Sequence, residues 1–323
     1  MPRGFVPLAL LVAAMAVGGP GAEAQRPTAS HGAGVEAEGT RASGSLPFFY
    51  DLYTFRGDAG RTNVIAAFAV PVERLREEDE AGEVRYRFDV TLVLSDTALH
   101  SVSRTDDSVY VSVPGSLAGE HLLHTHVELE APPSSNTLQR VLMFDATTAG
   151  IGQLYGTPFT IPDYSGRELM LSDIALGLPE AESGWERRDV TLALLPTSQF
   201  PQSSFDVYYE VYNLPVGHRY TTDISVDRVD GGGIEAPGED LAVHTRFVGE
   251  SSPSPDGVLA ELRRVDASLD EGFYRLSVTV TDEATGDAAR RDRTFRVRGW
   301  GPGITMVPAL PSARGITDAT RPR

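Results

Sequence analysis

One stretch, residues 269–297 (LDEGFYRLSVTVTDEATGDAARRDRTFRV), admits little besides a β-hairpin. Tyr274, Leu276, Val278 and Val280 fall on alternate positions, with Arg275, Ser277, Thr279 and Thr281 between them. Successive side chains of a strand point to opposite faces, so this period of two describes a strand buried on one face and wet on the other. Residues 282–287, with Gly286, supply a turn, and Phe295 and Val297 resume the apolar face on the return strand.

The same grammar runs through the chain. Strand-like runs occupy 48–55, 62–70, 84–94, 108–113, 122–130, 138–145 and 155–161, separated by turn residues at the short intervals of a sandwich. A second set follows at 168–176, 190–195, 205–212, 219–229, 241–248 and 258–266, before the closing hairpin. No long stretch carries apolar residues at three-four spacing, and 72–80 (VERLREEDE) reads as a short helix or a charged loop. The chain is therefore read as all-β. Residues 162–166 (PDYSG) make the joint between a first domain at 46–163 and a second at 164–298, with an irregular tail at 299–323. A length of 323 residues suffices for two cores of ordinary size.

Two landmarks relate the halves. Tyr86 to Asp96 matches Tyr220 to Asp230 at an offset of 134, and the turn DATTAG at 145–150 matches DEATG at 282–286. Phe159 and Ile161 then match Phe295 and Val297 at an offset of 136. A near-constant offset at separated landmarks marks an internal repeat. The expected architecture is two tandem immunoglobulin-like antiparallel β-sandwiches.

The N-terminus reads as an export signal. Arg3 precedes an apolar run at 5–17, and Ala22-Glu23-Ala24 places small residues for cleavage before Gln25. Residues 1–24 are the expected signal peptide. Residues 25–45 are rich in Gly, Ala, Ser and Thr and read as a disordered spacer. The mature protein is expected to be exported, periplasmic or extracellular, with no membrane insertion after cleavage. Cysteine is absent, which excludes disulfides, thiolate nucleophiles and Cys-ligated metals. A net charge of −17 disfavours nucleic acid and anionic lipid as partners.

The stretches YDLYTFRGDAGRTNVIAAFAVP, TIPDYSGRELMLSDIAL, FDVYYEVYNLP and EGFYRLSVTVTDEATGD together resemble the β-sandwich region that accompanies the GWxTD domain in secreted bacterial proteins. Gly184-Trp185 has the Gly-Trp of that motif without the Thr-Asp spacing. The resemblance implies an exported tandem β-sandwich and carries no active-site residues.

In LLHTHVELE a strand places His124, His126, Glu128 and Glu130 on one face, a spacing that suits a Zn, Ni or Cu site built on His124, His126 and Glu128. A polar outer face on an edge strand explains the same residues. Asp223, Asp227 and Asp230, or Asp282, Glu283 and Asp287, are hard-oxygen candidates for Ca²⁺, or simply solvated loops. Tyr208, Tyr209 and Tyr212 read either as an exposed binding platform or as packing within the sheet. The triplet Arg56-Gly57-Asp58 reads as a hairpin turn. No hydrolase, zinc-protease or phosphate-loop motif occurs. The expectation is a non-catalytic protein without a cofactor, with a structural or protein-interaction role in the bacterial cell envelope and an envelope protein as its partner. The alternative is a carbohydrate- or metal-binding accessory module.

Overall fold

The computed structural model describes residues 46–297 apart from 47, 81, 99–101, 114, 118–120, 146–150, 179–183, 197–203 and 230–237, together with 306–308. The signal-peptide and spacer expectations, and Asp230, lie outside the described residues.

The first half of the chain forms β1 (Phe49–Arg56), β2 (Thr62–Pro71), β3 (Glu78–Glu80), β4 (Glu83–Asp96), β5 (Val102–Val113), β6 (Leu122–Ala131), β7 (Ser134–Asp145) and β8 (Ile151–Ile161). One sheet runs β1-β2-β6 and a second runs β5-β4-β7-β8, with β3 beside the start of β4. All these pairs are antiparallel. Alternation decides what lies between the sheets. Val64, Ala66, Phe68 and Val70 of β2 meet Tyr86, Phe88, Val90 and Leu92 of β4 in one buried core, while Arg85, Arg87 and Asp89 stay on the outer face.

The second half forms β9 (Met170–Leu171), β10 (Ala175–Leu178), β11 (Trp185–Arg187), β12 (Val190–Leu194), β13 (Phe205–Tyr212), β14 (Arg219–Val229), β15 (Gly238–Glu250), β16 (Val258–Val265), β17 (Gly272–Asp282) and β18 (Ala288–Val297). Its sheets run β11-β12-β10-β13-β16, with β9 on β13, and β15-β14-β17-β18. Val207, Tyr209 and Val211 meet Ile224, Val226, Leu276, Val278 and Val280 in a second core. The expected hairpin is β17 and β18, with Tyr274 opposite Phe295.

The order β1-β2-β6 recurs as β10-β13-β16, and β5-β4-β7-β8 recurs as β15-β14-β17-β18. The strand register refines the sequence offsets. Phe88 faces Asp145, whereas Tyr220 faces Asp282. Matching the closing hairpins therefore sets Tyr220 against Phe88 instead of Tyr86. The slip is two residues, one full pleat period, so it keeps every side chain on its face and leaves no trace in the alternation.

Four local expectations change. β5 begins at Val102, six positions before the apolar run, because its polar start completes the ladder along β4. Residues 72–80 make a 3-10 turn, Val72–Arg74, and then β3. The single strand expected at 168–176 is two short ones, β9 and β10, with 172–174 between them. Within the expected irregular tail, β19 (Met306–Pro308) returns to the first half and pairs in parallel with Leu122–His124 of β6.

Both three-stranded cores have a second apolar face. Tyr53 and Phe55 of β1 and Ile65 and Ala67 of β2 form a third buried cluster with Ala175, Trp185, Leu192, Leu194 and Tyr208. The β1-β2-β6 sheet thus lies on the β10-β13 sheet, and the four sheets stack with three apolar layers between them.

Candidate functional site

The densest polar chemistry in the protein sits at the middle layer. β13 (FDVYYEVY) is buried at every position. Val207, Tyr209 and Val211 face the second core, so Tyr208, Glu210 and Tyr212 face the first half of the chain. A carboxylate taken out of water must find charged or hydrogen-bonding partners. Glu210 has five. Arg187 donates through Nε at 2.7 Å and Nη2 at 2.9 Å, Arg188 through Nε at 3.0 Å, and the Tyr208 and Tyr212 hydroxyls at 2.9 and 2.7 Å. Burial alone would push the Glu210 carboxyl up, but Arg187 and its neighbours hold it below the ordinary range. Burial and the Glu210 charge push both tyrosines up, keeping them neutral donors.

The β11–β12 hairpin supplies these arginines. A Cβ at Gly184 would lie 2.5 Å from the Leu192 carbonyl oxygen, so glycine lets the hairpin close. Trp185 is fully buried, with its ring 5.1 Å from Phe55 and 5.5 Å from Tyr208. Arg188 also reaches Asp256 at 2.6 Å.

From the first half comes Arg56. Its backbone N–H donates to the Tyr212 hydroxyl at 2.8 Å, and its guanidinium lies 4.2 Å from the ring centroid. Its Nε donates to the Tyr164 carbonyl and its Nη2 to Asn213. The Arg56-Gly57-Asp58 triplet is the β1–β2 turn, as expected, and its arginine points into the protein.

A second set of ions lies further along β1. Arg293 Nη2 is 2.7 Å from Asp51 Oδ2, with its guanidinium 4.0 Å over the Tyr53 ring. Asp173 accepts the Thr54 N–H at 3.0 Å and hydroxyl at 2.6 Å, and lies 3.6 Å from Arg291. Arg291 also donates to the Ser172 and Leu171 carbonyls. Every one of these contacts crosses or flanks the boundary between the two halves.

A cleft of about 460 Å³ opens at the rim of this seam, lined by Arg56, Asp58, Glu130, Glu186, Arg187, Arg188 and Asp256 among others. Its arginines are already bound to Glu210, Asp256 and Asn213.

The sequence candidates land as follows. His124, His126 and Glu128 do share one face of β6, but β6 lies between β2 and β19 and that face turns toward the second half of the chain. His124 is buried beside the Leu194 backbone, and burial outweighs that contact and pushes the imidazole down to about 4. His126 lies 3.9 Å from Glu128, which accepts the Asn63 amide. Among the described residues no group of three or more His, Asp and Glu side chains is placed to hold a metal ion. Tyr208, Tyr209 and Tyr212 are fully buried, which overturns an exposed platform. Asp223 pairs with Arg246, Asp227 with Arg275, Asp282 with His218, and Glu283 with Arg219.

Sequence reasoning passed over Asp51, Asp173, Arg187, Arg188, Arg291 and Arg293. One signal was present. Arg291 and Arg293 occupy the same alternate positions as Phe295 and Val297, on the face that pattern assigns to the interior.

No protein-family model matches this chain, and no curated protein matches it. Among solved structures it is similar to red sea bream transglutaminase, at 12% identity and a TM-score of 0.23 over 78% of this chain and 31% of that one. It is also similar to a Bacteroides uniformis β-glucuronidase, at 9% and 0.26 over 84% and 28%, and to a calcium-binding mutant of Bacteroides uniformis β-glucuronidase 2, at 9% and 0.25 over 76% and 27%. The matched region is about three-tenths of the length of each of those proteins.

Proposed function

We propose that this is an exported, non-catalytic protein of the bacterial cell envelope, with a structural or protein-interaction role. Its build is two tandem immunoglobulin-like sandwiches, related by duplication and fastened into one body. The observation that carries this reading is where the buried charge is spent. Glu210, Asp51, Asp173, Arg291 and Arg293 are all buried, and their bonds run between or beside the two halves. Catalytic sites tune buried ionisable groups and leave them open to substrate. Here each charge is consumed by a fixed partner, which suits a joint that sets the angle between two domains. The apolar run at 5–17, followed by Ala22-Glu23-Ala24, supports export.

Two measurements test the reading. Residues 1–45 fused to a reporter that folds only after export should deliver it across the membrane, and a reporter retained in the cytoplasm sinks the address. Affinity capture by the intact chain from the envelope of the exporting cell should return a defined partner. Turnover of an ester, glycoside or peptide panel that co-purifies with the chain to constant specific activity would overturn the non-catalytic role.

A further inference from the structure

Among the described residues β15 is bonded along one side only, to β14, and from Leu241 to Glu250 it contains no buried residue. That is unusual for a strand of 13 residues. Its counterpart in the first half, β5, is also an edge but buries Val109 and Val111. Leu241 is 62% exposed and Val248 56%. Val216, 77% exposed, sits in the turn that bonds to the end of β15 through Gly217 and Ser251. Arg263, on the adjoining edge strand β16, covers Phe247 at 4.9 Å, while Leu262 beside it pairs with Tyr208 and turns to the other face. Three of the six most exposed large apolar residues among the described ones therefore lie on β15 or the turn bonded to its end.

Natural sheets guard such edges with Pro, Lys, bulges or short strands. β15 (GEDLAVHTRFVGE) holds no Pro, and since the chain has no Lys anywhere its guarding charges reduce, over the open ladder, to Arg246 and Glu250. Its register shifts lie opposite Val226 to Val229, at its N-terminal end, and leave Val243 to Glu250 as a regular, open ladder.

We propose that this edge is a dimerisation surface whose occupant is β15 of a second copy, paired antiparallel about a two-fold axis. Charge favours that occupant. Asp223 holds both Arg246, at 2.7 Å, and His244, at 3.2 Å, while Glu250 closes the strand. An antiparallel alignment centred on Val248 sets Arg246 opposite Glu250 of the other copy twice, and one centred on Phe247 sets His244 there twice. A parallel alignment sets like charge on like. A two-fold contact is self-complementary and closes, so it ends at a dimer. Two four-stranded sheets join into one of eight, and the exposed ladder groups find partners. The proposal goes beyond the envelope role and does not depend on it.

Sedimentation of the purified full chain across a concentration series tests it. The expected result is twice the monomer mass at tens of micromolar, dissociating on dilution. Val248→Lys, at an exposed position that folding does not need, should weaken the dimer at least about tenfold by setting two ammonium groups together. Val102→Lys on β5 should leave it unchanged. Glu250→Arg should weaken it, and Arg246→Glu with Glu250→Arg should restore it. A monomer at every concentration, or a dimer indifferent to both Val248→Lys and Glu250→Arg, overturns the proposal.

Discussion

Arg293 on β18 donates to Asp51 on β1 across 2.7 Å, and both side chains are almost completely shielded from water. Asp51 keeps the guanidinium fully charged in spite of its burial. The pair ties the last strand of the second core to the first strand of the first. Removing one partner leaves an uncompensated buried charge, at a cost of about 3–5 kcal/mol. Asp51→Leu and Arg293→Met should each lower unfolding stability by that order. Asp51→Leu with Arg293→Met should recover most of it, because an apolar pair of similar volume is often no worse than a buried ion pair. Urea unfolding of the four proteins forms a double-mutant cycle, and simple additivity would contradict the coupling.

Glu210→Gln is expected to cost about 3–5 kcal/mol as well, since Arg187 keeps its charge beside a neutral amide. Asp256→Asn, at the exposed end of the same network, should cost no more than about 1 kcal/mol. Denaturant midpoints of the two variants compare them directly. Equal, small losses would show that the network contributes little to the joint.

Arg56 and Asp58 divide the turn between a buried and an exposed role. Arg56→Ala loses a contact over Tyr212 and two side-chain hydrogen bonds, and should cost about 1–3 kcal/mol. Asp58→Ala should stay within about 0.5 kcal/mol, as exposed substitutions usually do. Thermal melts suffice. The reverse order would mean that Arg56 is not part of the joint.

His124 makes the acid limb of stability depend on one buried imidazole. Its folded value of about 4 lies below the ordinary 6.5, so between those values the unfolded chain binds a proton that the folded chain does not. The neutral imidazole's contribution is intact above pH 6.5 and is lost as pH falls toward 4, by about 3 kcal/mol in all at ~1.4 kcal/mol per unit. His124→Leu should flatten the profile in that window. Urea unfolding at a series of pH values checks it, and an unchanged slope would show that His124 is not the group titrating.

Alternation along single strands determined much of this protein from sequence. It places Tyr274, Leu276, Val278 and Val280 on one face of β17 and Val90 and Leu92 on one face of β4, and the structure buries them there. That signal is local, because neighbouring side chains on a strand necessarily point opposite ways. What the other face meets is not local. The outer face of the β1-β2-β6 sheet reads as solvent-facing in His124, His126 and Glu128, yet it lies against the second domain. Tyr208 and Tyr212 read either as an exposed platform or as packing within the sheet, and the structure buries them with Glu210. A polar residue on a strand is equally consistent with water and with a buried partner, and only the packing of sheet on sheet supplies the partner. Asp51 and Arg293, separated by nearly the whole described chain, acquire their roles only when the two halves close on each other, since the partner that makes each charge tolerable in the interior is carried by the other half.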